Sequence, residues 1–331
     1  MADFSEKKVI TYSRSFTLPV THACANRCLY CGFRKMDGRL MGAEEVDSWL
    51  DRAKETPCSE VLIISGERVN ELLPIQEELH RLGFNSFVDY AVAVGQKILQ
   101  RGLLPHTNIG TLEHAAMARL REVNASMGLM LENSDPLWGK RIHPQKDLGK
   151  RMEAIKNAGR LKIPFTTGIL VGLGESKESR FASLEMIADI HREYGNIQEV
   201  ILQNYVPNEH SALPVSPISL EDWKELISFC NRKMTGVKIQ IPPNLNPFWM
   251  DLISSGANDL GGISQEPDFV NPKNPWEGIT VYATELHNRG VSLTPRLPIY
   301  REFYQKGWYA DEIKEILAGW VNRHEFQYYL Q

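Results

Sequence analysis

Cys24, Cys28 and Cys31 fall within eight positions of one another in "CANRCLYCGFRK" (24–35), separated by three and then two residues. Thiols at such spacing can converge on a metal ion or an iron–sulfur cluster. Three are one too few for a closed tetrahedral site, so either another side chain joins them or a coordination position stays open. His22 is the nearest fourth ligand for a Cys3His zinc site. Zinc ribbons, however, pair two short cysteine hooks, and this chain offers one. The other reading is a cubane 4Fe-4S cluster in which each thiolate holds one iron and the fourth iron takes a non-protein ligand. Cys58 and Cys230 stand alone in unrelated contexts, as small buried residues do, and do not suggest a disulfide framework.

Two glycine-containing turns and an acid–base pair add further chemistry. Ser65, Gly66 and Glu67 follow directly on the apolar run "EVLIIS". "GILVGLGE" places Gly168, Leu170, Gly172 and Glu175 at another turn. That run is neither a dinucleotide fingerprint, since Lys177 stands where a third small residue belongs, nor a P-loop, since no Gly-Lys-Ser/Thr follows. Glu132 ends an apolar run and Arg151 begins a helical one; a guanidinium fork can bind a carboxylate through two bonds.

The elements that must position these groups alternate between short β-branched runs and longer stretches of helical period, the pattern of repeated βα units around a parallel sheet. Strands are expected at 15–21, 60–65, 103–110, 125–132, 163–172 and 197–205. Helices are expected over 86–102, around Leu112, Ala116 and Leu120, around Leu148, Met152 and Ile155, over 177–194, and over 219–234 with Ser219 as N-cap. "VKIQIPP" (237–243) and "GANDLGGIS" (256–264) extend the six-strand core towards a full eight-strand barrel. The fold class is therefore α/β: a (β/α) barrel over 1–265, with a mostly helical extension, 266–331, packed on the same domain. Active sites of such barrels form at the C-terminal ends of the strands, where the cysteine loop falls. His106, Asn108, Asn204, Asn244 and Asp259 are expected at those ends and are candidates for substrate contact, His106 also as a proton acceptor.

Composition is that of an ordinary globular protein: 331 residues, 43% hydrophobic, 24% charged, with a formal net charge of -4. No basic run supports nucleic-acid binding, and no stretch has signal-peptide or membrane-span character, so the expectation is a cytoplasmic protein acting on a small molecule.

C-x3-C-x2-C with Tyr30 just before the last cysteine resembles the cluster loop of the radical S-adenosylmethionine (radical SAM) superfamily. The resemblance implies a 4Fe-4S cluster held by Cys24, Cys28 and Cys31, with its open iron chelating the methionine part of S-adenosylmethionine. It also implies ligand-binding roles for Ser65, Gly66 and Glu67, with Ser65 replacing the first Gly of a Gly-Gly-Glu turn. Gly168, Gly172 and Glu175 match a strand-five element near adenine, where Leu170 replaces Ile. Glu132 and Arg151 resemble the acid and Arg that hold the ribose or amino group and the carboxylate, and Tyr30 is expected to pack near adenine.

Longer stretches, among them "ISGERVNE", "ASMGLMLEN", "IQIPPNLNP" and "DFVNPKNPWE", resemble the 7,8-didemethyl-8-hydroxy-5-deazariboflavin synthases that perform the cyclising step. The likeness spans residues 12–280. It implies that a partner radical enzyme joins tyrosine's hydroxybenzyl group to a ribitylaminouracil, and that this chain closes the ring of the adduct with loss of ammonia, drawing on an external electron donor. The adduct-forming partner itself and a non-catalytic zinc protein are the competing assignments. A sulfur-inserting enzyme would need a further iron–sulfur centre, for which Cys58 and Cys230 are too few and too scattered.

Overall fold

The computed structural model describes residues 8–331 apart from 210, 212, 265 and 267. The leader-free reading of residues 1–7 and the domain boundary at 265 lie outside the described residues. So does residue 267 of the Pro-rich loop.

Strands and helices alternate along most of the chain. The first half runs β1 (Val9–Thr21), α1 (Ala43–Glu55), β2 (Glu60–Ser65), α2 (Leu73–Arg81), α3 (Phe87–Gln100), β3 (Leu104–Asn108), α4 (His114–Arg121) and β4 (Ser126–Gly128). There follow α5 (Pro136–Ile142), α6 (Leu148–Arg160), β5 (Phe165–Val171), α7 (Lys177–Tyr194), β6 (Ile197–Asn204), α8 (Leu220–Lys233) and β7 (Lys238–Gln240). The chain continues through α9 (Trp249–Ser254), β8 (Asp259–Ser264), α10 (Ile279–His287), β9 (Ser292–Arg296), α11 (Arg301–Gln305) and α12 (Asp311–Val321).

β1 to β8 pair in sequence order, all parallel, and β8 returns to β1 from Thr11↔Asp259 to Ser15↔Ser264, closing an eight-stranded barrel. Such closure leaves each strand buried on both faces, which is why β5, "FTTGILV", is buried throughout. Local side chains fix where several helices start: Ser86, Asp147, Ser176 and Ser219 each accept a bond from the backbone N–H three residues on. Ser219 is the cap expected from sequence.

Two differences from the sequence reading concern the barrel's N-terminal end. β1 begins at Val9 rather than 15, because its first half is held by β8 on one edge and by β9 on the edge that β2 takes over from Ser15. β9 itself was read as part of a helical remainder. Pro295 inside "SLTPR" signals a break, yet β9 is an edge strand, where a missing N–H costs no ladder bond. Through β9 the extension supplies Arg296, which is fully enclosed and bonds Asp259 at 2.7 Å and Glu199 at 2.8 Å. Asp259 opens β8 and so lies at this N-terminal end, not at the catalytic rim expected for it. Burial, reinforced by the neighbouring Asp259 charge and opposed by Arg296, pushes the Glu199 carboxyl up to about 8.

Candidate functional site

Beyond Thr21 the chain crosses the C-terminal mouth of the barrel as the cysteine loop. Backbone bonds pin it to the end of β2: Ala25 N–H donates to the Glu67 carbonyl at 3.1 Å, and Glu67 N–H donates to Cys24 Sγ at 3.2 Å. Gly66 makes this approach possible, because a Cβ there would stand 2.0 Å from the Ala23 carbonyl oxygen and 2.4 Å from Cys24 Cβ. On its other side the loop is tied to α5 by Leu29 N–H donating to the Ile142 carbonyl at 2.9 Å. The three cysteines thus share a cavity of about 200 Å³ with Tyr30, Ser65, Gly66, Glu67, Glu132 and Arg151.

A buried ion network forms the polar wall of that cavity. Arg151 donates to Glu67 Oε2 at 2.8 Å and lies 3.8 Å from Glu132. Asn26 donates to the same Glu67 oxygen at 2.9 Å, while Thr111 donates to Oε1 from its hydroxyl at 2.8 Å and its N–H at 3.2 Å. Burial alone would raise the Glu67 pKa, but Arg151, then Lys146 and Thr111, overcome it and hold the carboxyl down at about 2. Glu132 behaves likewise, its burial outweighed by Lys146 and Arg151. Lys146 bridges Glu132 Oε1 at 2.5 Å and the Tyr30 hydroxyl at 2.8 Å. Lys146, Asn26 and Thr111 escaped the sequence reading: Asn26 lies within the cysteine loop itself, while Lys146 and Thr111 sit on separate loops that only the tertiary fold brings here.

The donor set fits a cluster better than a single ion. No group of three or more His, Cys, Asp or Glu side chains among the described residues is arranged to hold one metal ion. His22, the possible zinc ligand, has Nδ1 2.8 Å from the Phe33 carbonyl oxygen and its ring packed on Phe33 at 4.5 Å. The three thiols instead share one wall, facing a cavity lined by carboxylates, ammonium and guanidinium. Burial pushes the Cys28 thiol up to about 11 and raises Cys24 as well, so their thiolate forms call for a cationic partner.

Residues 18–187 match the Radical SAM superfamily. Over 316 residues the chain is 40% identical to the 7,8-didemethyl-8-hydroxy-5-deazariboflavin synthase of Methanosarcina mazei, covering 93% of each chain. It is also 40% identical to that of Archaeoglobus fulgidus (94% of this chain, 96% of the other) and 42% identical to that of Methanosphaerula palustris (again 94% and 96%). This chain belongs to the radical SAM deazariboflavin synthase family. Among solved structures, the FeFe-hydrogenase maturase HydG from Carboxydothermus hydrogenoformans superposes with a TM-score of 0.70 at 17% identity, covering 98% of this chain and 77% of that one. Methylornithine synthase (PylB) gives 0.67 at 18%, covering 92% and 87%. Both share the barrel fold. The radical SAM family brings a 4Fe-4S cluster and S-adenosylmethionine as its cofactors.

Not every residue matching a radical SAM motif reaches the cysteine cavity. Gly168, Gly172 and Glu175 lie outside its lining. The Gly168 carbonyl accepts from Glu132 N–H at 3.1 Å, and Leu170 N–H donates to the Glu132 carbonyl at 3.0 Å, so β5 clamps Glu132 on both sides. Glu132 sits at φ 72°, a left-handed conformation that costs about 1 kcal/mol for a non-glycine residue and needs such a clamp. Glu175 closes the following turn by accepting from Gly172 N–H at 2.9 Å and Leu173 N–H at 2.8 Å. The stretch thus contacts Glu132 and contributes Leu170 and Leu173 to the apolar cluster with Trp138 on which Tyr30 packs.

His106 lines a second cavity of about 190 Å³ in the barrel lumen, which shares Asn108, Leu129 and Met130 with the first. Its Nδ1 is 2.7 Å from Ser126 Oγ, and burial lowers its pKa, keeping the ring neutral. Asn108 lines both cavities as expected of a contact residue. Gln203 and Gln240 join it in the lumen, although sequence gave no signal for them. Asn204 and Asn244 line neither cavity, and their amide N–H groups donate to the Leu245 and Asn274 carbonyls, both at 2.8 Å. Among the described residues no helix is long and apolar enough to cross a membrane.

Proposed function

We propose that the chain cyclises 5-amino-5-(4-hydroxybenzyl)-6-(D-ribitylimino)-5,6-dihydrouracil to 7,8-didemethyl-8-hydroxy-5-deazariboflavin, releasing ammonia, 5'-deoxyadenosine and methionine. In class it is then a carbon–nitrogen lyase, working in the reducing cytoplasm. The carrying observation is the 40% identity over 93% of both chains to a synthase of that name.

In this reading Cys24, Cys28 and Cys31 each ligate one iron, and the cavity beside them receives S-adenosylmethionine. When bound, cluster and S-adenosylmethionine supply a 5'-deoxyadenosyl radical that takes the benzylic hydrogen of the substrate. The Gly66–Glu67 turn and Glu67 meet the ammonium of the methionine part, and Arg151 with Lys146 offers cations to its carboxylate. Glu132 faces the ribose hydroxyls, and Tyr30 supports the adenine. A primary carbon radical attacks almost any nearby C–H bond, so the lumen must present one hydrogen and exclude water. Asn108, Gln203 and Gln240 suit the uracil edge and ribityl hydroxyls. His106, neutral and buried, takes the proton that leaves after the first abstraction, and the oxidised cluster, when bound, would accept the one electron that leaves with it. The substrate comes from a partner radical enzyme that joins tyrosine to ribitylaminouracil, and an external donor supplies the first electron.

Anaerobic reconstitution with iron, sulfide, adduct, reductant and S-adenosylmethionine should give the fluorescent deazaflavin together with 5'-deoxyadenosine. Cys28→Ala should abolish both. One zinc and no iron per chain, or adduct formation from tyrosine by the chain alone, would sink the assignment.

A further inference from the structure

The interior of a parallel barrel is ordinarily filled by branched apolar side chains. Here the lumen cavity is polar down to its N-terminal end, where Glu60, His106, Thr166, Glu199, Gln240 and Arg296 line it. Most of the ionisable groups among these bring no net charge into the space. Arg296 is matched by Asp259 at 2.7 Å, Glu199 keeps its proton at neutral pH, and the His106 ring is neutral. Glu60 is left over. Among the described residues it forms no ion pair, and its carboxylate accepts from the hydroxyls of Ser13 and Ser15, the latter at 3.3 Å.

Position says what such a carboxylate meets. Glu60 opens β2 and Ser65 ends it, about 17 Å further on at a rise of about 3.3 Å per residue, where the turn into the cysteine cavity begins. The two cavities join at Asn108, Leu129 and Met130. A substrate whose reacting carbon sits beside the cysteines therefore presents to Glu60 the group farthest from that carbon, which in an adduct bearing a ribityl chain is the terminal hydroxyl. A carboxylate has about four acceptor sites, and Ser13 and Ser15 fill two of them, so room remains for a charge-assisted bond from a polyol. A phosphate at the same place meets a like charge in a confined space with little water to screen it. Arg296 offers that phosphate no anchor, because its donors are already spent on Asp259, Glu199 and the Leu297 carbonyl.

We propose that Glu60 sets specificity at the far end of the substrate: it binds the free terminal hydroxyl of the ribityl chain and rejects the same chain carrying a terminal phosphate. The inference rests on the cyclisation proposed above. Glu60 is remote from the reacting carbon and takes no part in bond making; it acts on which substrate enters and how deeply the chain is seated. A site built to bond a substrate hydroxyl discriminates strongly, since losing that hydroxyl strands a buried acceptor and adding a dianion to it opposes two negative charges.

The test is calorimetry on the cluster-loaded chain without reductant, using three ligands: the adduct, the adduct phosphorylated on the terminal ribityl oxygen, and the adduct lacking that terminal hydroxyl. Wild type should bind the phosphorylated form about 100-fold more weakly than the adduct, and the deoxy form about tenfold more weakly. Glu60→Gln removes the charge at nearly constant size, and the gap to the phosphorylated form should shrink by about tenfold or more. Glu60→Asp keeps the charge but draws it back by a methylene; it should go on rejecting the phosphate while losing most of its preference for the hydroxyl. A merely structural role would move the three affinities together, so the ratios between ligands are the readout. Equal binding of adduct and phosphorylated adduct by wild type, an unchanged gap in Glu60→Gln, or acceptance of the phosphate by Glu60→Asp would each overturn the proposal. Should Glu60→Gln fail to load iron, the wild-type and Glu60→Asp measurements decide alone. A wild type that loads its cluster yet binds none of the three ligands would instead overturn the cyclisation reading, so the two failures are told apart.

Discussion

Glu199→Gln should remove a pH dependence from the stability of the barrel. Glu199, fully enclosed near the N-terminal end, accepts from Arg296 at 2.8 Å, Tyr300 at 3.0 Å and Thr166 at 3.1 Å, while Asp259 shares the same Arg296. One guanidinium faces two carboxyl groups, and the fold keeps a proton on Glu199, whose pKa rises from 4.5 to about 8. The unfolded chain loses that proton near 4.5, so folding is favoured fully below that pH and progressively less as pH climbs towards 8. The slope approaches 1.4 kcal/mol per pH unit, or about 2 kcal/mol between roughly pH 5.5 and pH 7. Gln keeps the acceptor oxygen for Arg296 and cannot ionise. Urea unfolding of both proteins at several pH values between those limits should show the variant gaining about 2 kcal/mol relative to wild type as pH rises. Parallel stability profiles would refute the proton held on Glu199.

The cavity at the other end of the barrel yields further tests. Gly66→Ala puts a methyl group 2.0 Å from the Ala23 carbonyl oxygen, so the cysteine loop must lift; iron retained per chain should fall sharply while the far-ultraviolet circular dichroism holds. Normal iron loading would show that the contact is dispensable. Arg151→Met strands Glu67 and Glu132 without their shared cation and should cost about 3–5 kcal/mol, read as a lower urea midpoint. A loss below about 1 kcal/mol would mean that Lys146 alone neutralises both.

The cysteine spacing, the glycine at 66 and the alternation of strands with helices were all legible because they are local. Gly66 in particular follows a strand and precedes an acid, and both neighbours are adjacent in sequence. Lys146 was not legible: it lies on a short loop between α5 and α6 and meets Glu132 and Tyr30 only once β4 and the cysteine loop are in place. Glu175 was legible as part of a motif, whereas the bonds by which it closes its own turn were not, because a sequence pattern does not say where a carboxylate points. β9 was hidden by Pro295, whose meaning depends on whether the strand lies at a sheet edge. Asp259 was assigned to the wrong end because its apolar run starts at the residue itself rather than before it.

The pairing of Val9–Ser13 with Ser292–Arg296 has a consequence for the order in which the molecule is made. Of the nineteen residues that line the cysteine cavity, all but Val270 lie between residues 24 and 151, so most of the mouth of the barrel is encoded in the first half of the chain. The opposite end waits for Arg296. A nascent chain emerging from the ribosome thus holds most elements of its cluster cavity well before the edge strand β9 has been synthesised. Until then the first residues of β1 keep an open edge and Asp259 and Glu199 lack their cation, so the docking of β9 onto β1 is a late, long-range step in folding.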